Sequence, residues 1–115
     1  MDKLEELKFA IRKLAKDRDW AQFHSPKNLA MAMSVETAEV VEIFQWLTEE
    51  QSKHLSKGKA DDLAEELADT YIYLLKIAGH YGIDLNEAAL KKIKKNELKY
   101  PVEKARGSAK KYNEL

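Results

Sequence analysis

The stretch SVETAEVVEIFQWL, residues 34–47, constrains this chain more than any other. Its apolar residues recur at helical spacing, yet Glu36 and Glu39 stand among them, three residues apart. At 100° per residue, with Glu36 at zero, Leu29 and Leu47 fall near ~20°, Val40 near ~40° and Ile43 near ~−20°. Glu36 therefore occupies the middle of the apolar face, and Glu39, near ~−60°, its edge. Glu42 repeats the spacing with Glu39 but falls near ~−120°, outside the face. The stretch DDLAEELADTYIYLLKIAGHYG, residues 61–82, repeats the arrangement. With Glu66 at zero, Ile77, Thr70 and Leu63 lie between ~20° and ~60°, Tyr73 near ~−20° and Asp69 near ~−60°. Glu65, near ~−100°, belongs to the solvent side. Two helices thus each carry a pair of acids at the inner edge of an apolar stripe.

The rest of the chain reads as helix too. Gly and Pro number only four and two in 115 residues, a length that suggests one domain. A first helix is expected from Leu4 to Lys16, seamed by Leu4, Leu7, Ile11 and Leu14. Ser25 as N-cap and Pro26 at the first helical position start a second, expected to reach Leu47. A polar connection follows, with a helical turn after Thr48 and a break at Gly58. The third helix is expected from Asp61 or Asp62 to His80, bracketed by Gly79 and Gly82. Asp84, with Glu87 three residues on, opens a fourth that stops before Pro101. No strand is expected. Residues 102–115 read as a basic, mobile tail.

Composition removes several classes of function. Twenty basic and twenty acidic residues balance, which argues against a general nucleic-acid coat. Only the segment from Lys91 to Lys111 is basic, with nine Lys or Arg against two Glu, and nucleic-acid binding there is a minor alternative. Without cysteine there is no disulfide and no thiolate metal site, which fits an intracellular, cytoplasmic protein. The opening MDKLEELKFA is charged and helical in pattern, unlike a signal peptide, and no apolar run reaches membrane-spanning length.

The chemistry follows from the acids. Two such helices packed face to face gather Glu36, Glu39, Glu66 and Asp69 into one cluster, in which desolvation and repulsion both oppose ionisation. A hard divalent cation relieves that cost; Mg²⁺ prefers carboxylate oxygens and works with substrate phosphates. A di-iron bundle needs Glu-x-x-His, but Ala21, Gln51 and Ile77 precede the three histidines at that spacing. The alternative from another class is a non-catalytic helical interaction module, whose acids pair with a partner's Lys or Arg.

These stretches resemble a known family. The E-x-x-E and E-x-x-D pairs, with DRDWAQFHSPKNLA and NELKYP, are similar to the MazG-like all-α nucleoside triphosphate pyrophosphohydrolases, dCTP pyrophosphatase type. The resemblance implies a bundle of four to five helices completed by oligomerisation as a homodimer or homotetramer, with pockets shared between subunits. It implies cleavage of a nucleoside triphosphate, dCTP or a modified dCTP favoured, to monophosphate and pyrophosphate in nucleotide-pool sanitation. Mg²⁺, with Mn²⁺ as substitute, would be held by Glu36, Glu39, Glu66 and Asp69. The same four would serve catalysis, without the pattern choosing which one activates water. Trp20, His24 and Trp46 match base-pocket positions, and Tyr73, Lys92 and Asn96 match positions that contact triphosphate or sugar. For His24 a local packing role competes equally with base recognition.

Overall fold

The computed structural model describes residues 2–115. Among them are six α-helices and no strand. The helices are α1 (Lys3–Asp17), α2 (Pro26–Phe44), α3 (Glu49–Ser52), α4 (Lys57–His80), α5 (Leu85–Lys99) and α6 (Val102–Ala105), with 3-10 turns at Ala21–Phe23 and Tyr112–Glu114. The chain forms two compact units, one ending at Tyr81 and the other running from Gly82 to Leu115.

The helix starts are set by local chemistry. Asp2, Ser25, Thr48, Ser56 and Asp84 each accept a hydrogen bond from the backbone N–H three residues on, satisfying a donor with no partner inside the helix. At Thr48 the bond is reciprocal: Gln51 accepts from the Thr48 N–H at 3.0 Å, which makes α3 a helix despite its four residues.

Two boundaries differ from expectation. The third main helix starts four residues before Asp61, and Gly58 lies in its first turn rather than breaking it. Glycine costs little there, because Ser56 caps the end and first-turn N–H groups lack partners in any helix. The second main helix stops at Phe44, so Trp46 and Leu47 belong to the connection; the Leu47 N–H donates to the Phe44 carbonyl at 2.9 Å. Gly82, at φ 66°, takes the left-handed turn that ends α4, as its sequence position suggested.

In the first unit α2 packs along α4, and their pairings show opposite directions. Glu36 meets Glu66, while Glu42 and Ile43, later in α2, share a hollow with Lys59 and Asp62, earlier in α4. The core is small: Leu29 of α2 and Leu75 and Ala78 of α4 are the buried apolar side chains, at 4, 7 and 5% exposure. Leu67, Tyr71 and Leu74 form an exposed stripe on α4, and Val35 and Val41 are exposed on α2. In the second unit Lys99 Nζ lies 4.9 Å from the Tyr112 ring centroid, and Tyr112 stands edge-on to Tyr100 at 6.3 Å. The stretch read as a tail therefore carries a helix and a 3-10 turn near the end of α5. No helix is long and apolar enough to cross a membrane.

Candidate metal centre

The pairing of α2 with α4 brings three of the four expected acids together. Glu36, Glu39 and Glu66 each offer a carboxylate oxygen within 4.8 Å of the others. Asp69, one turn beyond Glu66 and exposed, stands outside that trio, though its charge still acts on Glu36. The trio forms because α2 and α4 turn these phases toward each other; no loop contributes.

The carboxylates are under electrostatic tension. Glu36 Oε2 and Glu66 Oε2 are buried with no hydrogen-bond partner. Burial pushes Glu36 above the usual carboxylate range; Glu66 opposes this, while Glu39 and Asp69 add to it. The contact with Glu39, followed by burial and the contact with Glu36, pushes Glu66 up to about 7. Two carboxylates hydrogen-bond only through a shared proton, so ionising the set leaves acceptors facing acceptors. All donors here are oxygens and two lack partners, so the set fits a hard cation such as Mg²⁺ or Mn²⁺.

An open hollow of about 400 Å³ adjoins the trio, lined by Glu39, Glu42, Ile43, Lys59, Asp62 and Glu66. Helical phase set Glu42 aside, yet it lines this hollow, because the hollow opens at the margin of the packed face. Lys59 and Asp62 precede Glu66 on the same side of α4, a placement that needed the true start of that helix.

The other expected residues divide between places. Trp20 and His24 meet edge-on with centroids 6.1 Å apart, and the Arg18 guanidinium stands 5.8 Å from the Trp20 ring centroid. Their turn depends on Asp19, which adopts φ 53°, a region tolerated by Asp better than by most residues. Gln22 donates to both the Asp19 carbonyl and its carboxylate. Asn28 Nδ2 donates to the Phe23 carbonyl at 3.1 Å, so Asn28 serves the backbone of the same turn. Burial first, and the Lys76 ammonium second, push His24 below the usual histidine range. Tyr73 is half-buried on α4, with Lys76 Nζ 5.6 Å from its ring centroid. Lys76 was not anticipated from sequence, because one Lys on a helical face carries no signal.

Trp46 is not with them. It is 87% exposed, beyond the far end of α2 from His24. At 1.5 Å per residue α2 puts roughly 28 Å between the two ends. Lys92 and Asn96 belong to the second unit, exposed and four residues apart on one face of α5.

The pattern of the MazG-like family matches residues 31–115. Bovine (Bos taurus) and human (Homo sapiens) dCTP pyrophosphatase 1 are each 40% identical over 114 residues, spanning 97% of this chain and 68% and 67% of those proteins. The crystal structure of a pyrophosphatase from Archaeoglobus fulgidus superposes with a TM-score of 0.82 at 38% identity, covering 88% of this chain and 94% of that one. Paired acids on two packed helices and a family match over most of its length lead to one conclusion: this chain belongs to the MazG-like family.

Proposed function

We propose that this protein is a nucleoside triphosphate pyrophosphohydrolase that works with Mg²⁺, or Mn²⁺ in its place, and cleaves dCTP or a modified dCTP to monophosphate and pyrophosphate. One observation carries the reading: three carboxylates converge within 4.8 Å, and two of their buried oxygens lack any donor. The names of the relatives support the reaction and the substrate class.

The residues take the following roles. Glu36, Glu39 and Glu66, with Asp69 beside them, hold the cation. When bound, it offsets triphosphate charge and acidifies water, the usual contributions of a divalent ion to phosphoryl chemistry. Trp20 and His24 offer a flat wall and a polar edge to the base. His24 is held toward neutrality, so it presents one N–H donor and one ring-nitrogen acceptor. Pyrophosphate release should be seen with dCTP and Mg²⁺, should vanish with chelator, and should rank dCTP or a modified dCTP first among nucleoside triphosphates. A protein that releases none, or is indifferent to metal, contradicts the reading. The setting proposed is the cytoplasmic nucleotide pool.

The assembly proposed is a homodimer or homotetramer. Among the described residues, three buried apolar side chains are a small core for a chain of this size, while Leu67, Tyr71, Leu74, Val35 and Val41 stay exposed. The stripe of Leu67, Tyr71 and Leu74 is apolar exposure of the kind that marks an interaction face. A second copy would also bring its Trp46 toward a pocket that one chain cannot complete. Light scattering at micromolar concentration should give the mass of two or four chains; a monomer contradicts the assembly.

A further inference from the structure

On α4, Lys76 follows the metal-side acids on their own stripe. With Glu66 at zero it falls near ~−80°, beside Asp69 near ~−60° and Tyr73 near ~−20°. It stands roughly 10 Å farther along the helix axis than Asp69. The His24 ring lies close enough to feel the Lys76 charge, and His24 meets Trp20 edge-on. Lys76 therefore stands at the nucleoside end of the site, away from the carboxylate trio.

Its surroundings leave its charge unanswered. Lys76 is half-buried, and no carboxylate lies within 4.0 Å among the described residues. Its one recorded partner is the Tyr73 ring, 5.6 Å away, which attracts a cation but accepts no conventional hydrogen bond. A lysine stem can be half-buried while its head stays in water, so the Lys76 ammonium, held without an acid partner, keeps its donors available to a ligand. An ammonium has three donors and no acceptor. The matching ligand atom is an exposed carbonyl oxygen on a base, such as the 2-keto group of a pyrimidine.

We infer that Lys76 is a specificity-determining residue, donating a charge-assisted hydrogen bond to a carbonyl oxygen of the substrate's base. The inference rests on the proposed nucleotide substrate and adds the feature of the base that is read.

Binding tests it without turnover. Dissociation constants for dCMP and for 2-deoxyribose 5-phosphate should be measured by calorimetry or NMR titration on the wild type and on Lys76→Met. The variant should weaken dCMP about tenfold or more, the usual worth of a hydrogen bond to a charged group. It should leave the base-free sugar phosphate unchanged. Its thermal midpoint should hold or rise, since an unpaired charge gives way to an apolar side chain of similar length. Equal weakening of both ligands would assign Lys76 to the phosphate or the fold; weakening of neither, or no dCMP binding by the wild type, also overturns the inference. Absent hydrolysis by the wild type would instead overturn the proposed activity, and the dCMP comparison would still decide Lys76.

Discussion

Glu39→Gln should cut Mg²⁺-dependent pyrophosphate release from dCTP by more than about a hundredfold, because even the outer-shell partners of a metal site are worth ~10–100-fold. The substitution keeps volume and removes charge. Glu39 belongs to the carboxylate trio and contributes most to the rise at Glu66, so its loss weakens the cation site and relaxes Glu66 together. The fold should survive, since no ion pair of Glu39 joins α2 to α4 among the described residues and its contact with Glu66 is repulsive once both are ionised. Circular dichroism should therefore match the wild type, and the metal-free variant at pH 8 should melt at the same temperature or higher, with one like charge removed. Asp69→Asn separates the trio from its neighbour. If Asp69 serves the cation despite standing outside the trio, it should fall as steeply as Glu39→Gln. A fully active Glu39→Gln enzyme would remove the trio from the chemistry.

The trio was legible in sequence because helical phase is rigid. Glu36 and Glu66, in the middle of their apolar stripes, must face whatever those stripes pack against; Glu39 at the edge joins them, while Asp69 at the same phase stays exposed. The caps were legible for a similar reason: Ser25, Thr48 and Asp84 act within three residues of themselves. Gly58 misled because propensity describes helix interiors, whereas this glycine sits in the first turn behind the Ser56 cap. Glu42 misled because the angular rule assigns residues to a face, while the hollow lies at that face's margin. Trp46 was grouped with Trp20 and His24 by family resemblance, which matches positions in sequence and says nothing of their separation within one chain. Lys76 was illegible for a deeper reason. Its meaning lies in what does not surround it, and the absence of a counter-ion exists only in three dimensions.

Mg²⁺ should raise the thermal midpoint far more at pH 8 than at pH 5. Glu36 and Glu66 are both raised in the folded protein, Glu66 from about 4.5 to about 7. Between those values the folded state binds more protons than the unfolded chain, so the slope of stability against pH from these groups is negative. The Glu66 contribution is complete below about 4.5 and is lost as pH climbs through about 7, and Glu36 acts with the same sign. His24, lowered on folding, has the opposite sign and adds stability as pH rises through the usual histidine range. The metal-free profile sums both, so Glu66→Gln is the control that isolates the acids: its decline from pH 5 to 8 should be shallower than the wild type's. A cation at the ionised trio cancels the repulsion that the shared proton relieves at low pH, and must displace that proton to bind there. With free Mg²⁺ at about a hundred times its dissociation constant, the gain is about 2.7 kcal/mol. For a chain of this length that is a rise on the order of 10 °C. Calorimetry in chelator and in Mg²⁺ at the two pH values measures it directly. An equal shift at both, or a Glu66→Gln protein that still gains the full shift at pH 8, would place the cation away from the carboxylates of α2 and α4.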